Sequence, residues 1–524
     1  MSKGSTLKNV FTVGAFTMVS RFLGLFREML QSFMIGAGTE QSAFTLAFAI
    51  PNMARKLFGE GALTAAFVPV FKGEVETVGV EKAARLARAV MTMVLLLIGS
   101  VVLLSLAGIL GALSIRNFSF LTFHFSFVPS PRAELTLQLV AILIPYMLAI
   151  CGAAFGMGVL NALGRFKASS FMPALLNILW IGALGTLMLF PDLSVTARIR
   201  WVAGAILVGG FVQMAFMFQQ MHEAGVSSLP LFSGWKSAKV RLVWTNLGIA
   251  ALGAGAVQVN YALDQVLAQL AAPWAAGVIG YAERLMDLPL GVIGVAFGTV
   301  LLPTFAGFFA KGDLDGARGA FVASVEQQMF VMIPAAFGLA VTAPVVTEVI
   351  YQRGCFDAVA TLRVSRALAV YALGLGFFGL QKSLIPWFQA QNDMKTPLRV
   401  SLATVIVNAT LNVLAVALLP QEWRHVGLAA STTFSAALGC GVFIVIARLR
   451  GQSLGLVGTL PYLAKVVVAS LLMAAAVFAV DRYVPCRGAI PRLVCDLAAG
   501  GALYLGLSFG LRTIRLPRKF RRRA

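Results

Sequence analysis

Apolar runs of about twenty residues, parted by short polar breaks, recur along the whole chain. A helix crosses the hydrocarbon core of a bilayer with about 20 mainly apolar residues, and fourteen such runs fall between Leu7 and Leu511. The pattern predicts an all-α polytopic membrane protein with 14 transmembrane helices and almost no chain left for a soluble domain. The first run, Leu7 to Ile35, stops at Gly36-Ala37-Gly38; the second, Ala43 to Phe71, is interrupted by Pro51 and by Gly59-Glu60-Gly61. Proline and glycine free backbone groups inside a spanning helix and are tolerated where it lines a cavity, so the second run reads as a bent helix. Runs three to six are expected at 89–112, 134–161, 170–190 and 201–221. Runs seven to twelve follow at 243–270, 276–308, 320–343, 362–390, 397–419 and 426–447, and two more at 461–480 and 493–511. Between the third and fourth, the Phe-rich stretch Ile115 to Pro131, with His124, reads as an interfacial aromatic segment.

His222 to Arg241 is the most polar internal stretch and reads as a linker. It divides the chain into an N-terminal lobe (1–225), a cytoplasmic linker (226–242), a C-terminal lobe (243–450), and a final part (451–524) with two further spans and a basic tail. The lobes echo one another. Phe67-Val68-Pro69-Val70-Phe71 closes the second run as Leu301-Leu302-Pro303-Thr304-Phe305 closes the eighth. Asn161-Ala162-Leu163-Gly164-Arg165-Phe166-Lys167 leaves the fourth as Gln389-Ala390-Gln391-Asn392-Asp393-Met394-Lys395 leaves the tenth. Repeats of six spans enter the membrane in the same orientation, which predicts parallel repeats with a binding site between them near mid-membrane.

Composition agrees with this reading: 59% of residues are hydrophobic and only 12% charged, where a soluble protein has about 25% charged. The 42 Lys+Arg against 21 Asp+Glu give a net charge of +21. In a soluble chain this would suggest nucleic acid. Here the basic residues fall in alternate loops, Lys72, Lys82, Arg85, Arg165, Lys236, Lys311, Lys395 and Arg448 among them, as the positive-inside rule requires. No nucleic-acid partner is expected, and both termini are placed in the cytoplasm, with the basic tail from Arg515 to Arg523 able to touch anionic lipid. The first run is charged and lacks a small-residue cleavage site, so no cleavable signal peptide is expected. Of the five cysteines, Cys486 and Cys495 fall on the expected outer side, where a disulfide is a candidate.

Charges inside the apolar runs carry the candidate chemistry. Ser20-Arg21-Phe22-Leu23-Gly24-Leu25-Phe26-Arg27-Glu28 sits within the first run, Arg55 and Glu60 in the second, and Glu283, Arg284 and Asp287 in the eighth. A charge at the bilayer centre costs about 2.5–3.5 kcal/mol on insertion scales and normally faces a protein interior or watery cavity. Arg21 and Glu28 are seven apart and share a helical face, with Arg27 turned away from it; Arg284 and Asp287, or Glu283 and Asp287, are spaced for pairing within one helix. Arginine suits phosphate and pyrophosphate because its planar fork donates two parallel hydrogen bonds and stays charged when desolvated, so the expected substrate is anionic. Asp264, in the seventh run, suggests either a coupling cation or proton, or an ion pair with Lys382.

Other motifs fail on context. Gly374-Leu375-Gly376-Phe377-Phe378-Gly379 fits G-x-G-x-x-G but lies inside an apolar run with no preceding strand, where small residues serve helix packing instead. No P-loop occurs, and His124, His222 and His425 lie far apart with no zinc-type spacing, so no transition-metal site is expected.

The Ser20-to-Glu28 stretch, the turn from Phe33 to Gly38, Pro51-Asn52-Met53-Ala54-Arg55-Lys56, Glu60-Gly61-Ala62 with Ala66-Phe67-Val68-Pro69, Tyr281-Ala282-Glu283-Arg284-Leu285 and Asp393-Met394-Lys395-Thr396-Pro397 together resemble the MurJ (MviN) family. These are the lipid II flippases of bacterial peptidoglycan synthesis, within the multidrug/oligosaccharidyl-lipid/polysaccharide exporter superfamily. The resemblance implies a multi-pass protein of the bacterial inner membrane with two six-helix lobes around a cationic cavity. It implies that Arg21, Arg27, Arg55 and Arg284 engage the pyrophosphate and sugar headgroup, with Glu28, Glu60, Glu283 and Asp287 in support. The last two spans form a groove for the polyprenyl tail. Glu28 stands where an aspartate is usual, and Ser42 where some members have an acid, whose role is then unfilled unless Glu40 substitutes. Some members bind sodium in the C-terminal lobe; Asp264, Asp393 and Val405 match that site, with Gln389 and Ala409 where an amide and a hydroxyl are expected.

The resulting expectation is a lipid II flippase, not an enzyme, working by alternating access with no cofactor. A sodium ion, a proton or the membrane potential is the candidate driving force. The expected partners are lipid II, membrane lipids and other cell-wall synthesis proteins. An exporter of another polyprenyl-linked saccharide or of drugs shares the architecture, although a drug-cation exporter needs an acidic or aromatic cavity. A non-transporting scaffold would not need buried charges.

Overall fold

The computed structural model describes residues 3–59, 62–115, 131–298, 300–484 and 488–513. Glu60, the segment carrying His124, Cys486 of the candidate disulfide and the tail from Arg515 to Arg523 lie outside the described residues. Among those described, the chain forms α1 (Lys3–Ile35), α2 (Thr39–Ala54), α3 (Ala62–Val78), α4 (Val80–Ile115), α5 (Pro131–Leu143), α6 (Tyr146–Ala162), α7 (Phe166–Leu187), α8 (Val195–Glu223) and α9 (Ala238–Ala271). It continues with α10 (Ala275–Gly298), α11 (Leu301–Ala310), α12 (Leu314–Tyr351), α13 (Ala358–Leu373), α14 (Leu375–Gln389), α15 (Lys395–Leu418), α16 (Gln421–Leu449), α17 (Leu456–Tyr483) and α18 (Ala489–Gly510). By length and hydropathy nine of the described stretches can cross a membrane, or ten when α13 and α14 count as one bent span.

The helix breaks follow the residues that free the backbone. Pro51 lies inside α2, and a π-helical turn, Arg55–Gly59, follows it. Such turns concentrate at functional positions because they re-aim side chains within an otherwise regular helix. The α13–α14 pair bends by 42° at Gly374. A Cβ there would lie 2.7 Å from the Phe378 ring and 3.0 Å from Thr433 Oγ1, and one on Gly379 3.2 Å from Met332. The glycines of the G-x-G-x-x-G match therefore serve a bend and close packing.

The chain divides into two compact units, Met1–Gln269 with Arg353–Phe356, and Leu270–Gln352 with Asp357–Ala524. In the first, Phe67 stacks on Phe71 at 5.1 Å and meets Phe155 at 4.7 Å, while Trp180 packs edge-on to Phe44 and Phe48. Lipid tails give helices little hydrophobic reason to associate, so close packing by small residues matters most: a Cβ on Gly210 of α8 would come within 2.3 Å of the Tyr146 ring on α6. The inserted segment docks by its backbone, with the Cys355 amide donating to the Phe33 carbonyl at 2.9 Å. Gly36 (φ +77°) and Gly354 (φ +56°) flank this contact, and a Cβ on either would sit within 2.5 Å of the opposing carbonyl oxygen.

The unit boundary differs from the linker-based division, which starts the second lobe at residue 243: almost all of α9 groups with the first unit. Gln269 donates to the Ser42 carbonyl at 2.7 Å and receives the Arg132 guanidinium, Lys56 lies 4.8 Å from the Tyr261 ring, and Lys239 pairs with Glu74. A polar loop marks a change of chain path, whereas these contacts decide which body the following helix joins.

In the second unit Trp387 is the hub, with Phe305, Phe309 and Phe321 packed edge-on at 5.6, 5.1 and 5.3 Å. His425 is fully buried, edge-on to Trp274 at 4.9 Å with Nε2 3.1 Å from the Arg363 carbonyl oxygen. Its role there is packing.

Candidate functional site

The charged stretch of α1 lies along α7. The Arg27 guanidinium pairs with Glu28, donates from Nη1 to Asn177 Oδ1 at 3.0 Å, and sits 4.2 Å from the Trp180 ring centroid. Asn177 donates from Nδ2 to the Ser20 carbonyl at 3.0 Å, fastening α7 to the turn before Arg21. Both charged side chains of the Arg27–Glu28 pair are nearly buried, at 12% and 13% exposure, so the pair is held away from bulk water, where an ion pair retains more of its strength than at a surface.

Arg21 is differently placed. Its side chain is exposed and lines a cavity of about 390 Å³ with Thr17 and Ser20 of α1, Met157 and Asn161 of α6, and Phe166, Ser169, Ser170 and Pro173 of α7. Every fourth residue of a helix returns to nearly the same face, which brings Thr17 and Arg21, and Ser169 and Pro173, to this cavity together. Hydroxyls, an amide and a guanidinium thus share the wall with the apolar Met157, Phe166 and Pro173.

Arg55 opens the π-helical turn, and its Nε donates to Asn52 Oδ1 at 3.1 Å. It and Arg27 both act electrostatically on the buried Tyr146 of α6, so the two arginines belong to one region of the first unit. The second unit carries Glu283, Arg284 and Asp287 on α10: Arg284 and Asp287 are exposed, and Glu283 accepts from the Tyr371 hydroxyl at 3.5 Å.

The residues considered for a cation are spread over both units. Asp264 of α9 accepts from Asn260 Nδ2 at 3.3 Å. Gln389 ends α14 and Val405 lies within α15. Asp393 caps α15, its Oδ1 accepting from the Thr396 amide at 2.9 Å while its Oδ2 pairs with Arg450 Nη1 at 2.6 Å. Burial pushes this carboxyl up, but the hydrogen bonds from Thr396 and Arg450 and the Arg450 charge outweigh it and hold Asp393 at about 2. Its two oxygens are thus already engaged in fastening α15 to the end of α16.

A family model described as "Lipid II flippase MurJ" matches residues 32–494. The chain belongs to the MurJ family. It is 32% identical over 533 aligned positions to the probable lipid II flippase MurJ of Rhizobium meliloti (strain 1021), covering 97% of this chain and 94% of that one. Its fold matches a solved lipid II flippase MurJ in an inward closed conformation with a TM-score of 0.76 at 21% identity, over 95% of this chain and 98% of that one. It also matches an inward-facing multidrug resistance transporter of the MATE family in the MOP superfamily, with a TM-score of 0.68 at 14% identity, over 83% and 95% of the two chains. At such identities these two likenesses speak for the fold. The MurJ family match takes in Arg55 and Arg284 and begins just after the Arg21-to-Glu28 stretch.

The charge pattern leaves Asn177 and Trp180 unmarked. The only signal for them is a polar amide three residues before an indole within an otherwise apolar run, which by itself is compatible with ordinary packing. The apposition of α1 and α7 makes them the partners of Arg27.

Proposed function

We propose that this MurJ-family protein moves lipid II from the cytoplasmic to the periplasmic leaflet of the bacterial inner membrane by alternating access. In this reading it crosses the membrane fourteen times, as two parallel six-span repeats followed by two spans, with both termini in the cytoplasm. Arg21, Arg27, Arg55 and Arg284 engage the pyrophosphate and its sugars. The observation that carries the reading is the treatment of the arginines on α1: Arg27 is oriented by Glu28, Asn177 and Trp180, while Arg21 lines a cavity of mixed polar and apolar side chains. Such preparation of guanidinium groups is costly in lipid and suits an anionic, sugar-bearing substrate. A coupling sodium ion or proton, or the membrane potential, supplies the drive, and other cell-wall synthesis proteins are its working partners.

The test is replacement of a host bacterium's own flippase by this protein, with lipid II on the outer surface scored by an externally added lipid II-cleaving enzyme. Wild-type protein should sustain growth and surface lipid II. Arg21→Glu and Arg284→Glu should insert at normal levels and sustain neither. Normal growth with both reversals would remove the arginines from the mechanism, and failure of the wild type to expose lipid II would overturn the substrate assignment.

A further inference from the structure

The packed face of α18 has an unusual composition. Its buried positions are Asp496, Gly500, Tyr504 and Ser508, one per turn. Tyr504 donates to the Phe330 carbonyl of α12 at 2.7 Å, and a Cβ on Gly500 would come within 2.8 Å of Val477 on α17, so this face is pressed against both helices. Asp496 is 1% exposed, and neither of its carboxylate oxygens has a hydrogen-bond partner. The obvious partner, Arg492, lies one turn earlier on the same helix but is taken: its Nε and Nη2 go to the two oxygens of Asp481 on α17, the latter at 2.6 Å. Glu348 of α12 also acts on Arg492, so three carboxylates from three helices surround a single guanidinium.

An ionised carboxylate buried without a hydrogen bond is far costlier than its neutral acid, and removing a charge from water is repaid only when a partner satisfies it. Asp481 has that partner and Asp496 does not. We propose that Asp496 is a proton-binding site, holding its proton at neutral pH while α18 is seated against α17 and α12. The charged groups acting on it are Asp481 from α17 and Arg492 from α18, and Glu348 from α12 acts on Arg492 in turn. This site is distinct from the Asp264 and Asp393 positions and does not depend on the substrate assigned above.

Infrared spectroscopy of the full-length protein in lipid, read at neutral pH in the carbonyl band of protonated carboxyl groups, tests it. Asp496→Asn, a near-isostere of the neutral acid, should remove a band present in the wild type. Asp481→Asn should remove the same band without touching Asp496, because the released Arg492 then pairs with Asp496 at i, i+4 spacing and ionises it. A wild-type spectrum with no band lost in Asp496→Asn shows the carboxylate ionised and overturns the proposal. So does a band abolished by sodium at fixed pH, which makes the site a metal-ion site instead. If Asp496→Asn does not fold, Asp481→Asn decides alone: an unchanged band refutes the assignment.

Discussion

Asn177 offers the sharpest test of how the arginines are held. Replacing it with alanine breaks two hydrogen bonds at once, from Arg27 Nη1 and to the Ser20 carbonyl, each 3.0 Å long. Interhelical hydrogen bonds in membranes average about 0.6 kcal/mol and reach about 1.7; a bond to a charged group belongs at the upper end. The Ser20 carbonyl lies inside α1, where a helical bond also serves it, so its bond belongs at the lower end. Asn177→Ala should therefore cost about 2 kcal/mol, measured as a shift in reversible unfolding in detergent. A double-mutant cycle with Arg27→Ala should return a coupling of about 1–1.5 kcal/mol, since contacting residues depart from additivity. Asn177→Asp separates positioning from charge: it keeps the acceptor for Arg27, and should retain most of the stability while lowering lipid II flipping because a second carboxylate neutralises the guanidinium. Zero coupling between Arg27 and Asn177, together with wild-type flipping by Asn177→Ala, would refute the idea that α7 positions Arg27.

Three further outcomes follow from the packing and the charges. Gly210→Ala should destabilise by about 1–3 kcal/mol, the usual cost of overpacking, because its Cβ would lie 2.3 Å from the Tyr146 ring, whereas Gly182→Ala, with nothing within 4 Å, should unfold at or above the wild-type temperature. Asp393 sits at about 2 in the folded protein against an ordinary 3.8, so its contribution is present above the unfolded value and is lost as pH falls from about 4 towards 2; Asp393→Asn should flatten that acid limb in unfolding measured against pH. Tyr504→Phe removes the 2.7 Å bond to the Phe330 carbonyl and should loosen α18 from α12 by about 1 kcal/mol, read as faster amide exchange in α18 with the rest of the chain unchanged.

Much of the architecture is written in local chemistry. The apolar runs and the break after Pro51 lie where the structure has helices and helix ends, because in lipid every backbone polar group must be satisfied within its own segment; the bend at Gly374 within the 362–390 run appears only in the structure. Arg21, Arg27, Arg55 and Arg284 stand out for a similar reason: a charge in an apolar run is conspicuous whatever surrounds it.

What each charge does is a different matter. Helical periodicity puts Arg21 and Glu28 on one face, and the structure adds that Glu28 pairs with its neighbour Arg27 at the α7 surface beside Asn177 and Trp180. Arg21 lines a cavity of the first unit. Asp496 is an acid within the last apolar run, and the capture of Arg492 by Asp481, which the sequence does not show, leaves its carboxylate without a hydrogen-bond partner. The sequence by itself therefore determined that this is a helical membrane protein of the MurJ type with guanidinium groups within its apolar segments, since hydropathy and charge are properties of single residues and their neighbours in the chain. The tertiary structure decided which helix α9 packs with, which acid neutralises which arginine and which polar atoms are left over, since these depend on side chains far apart in sequence competing for the same few partners.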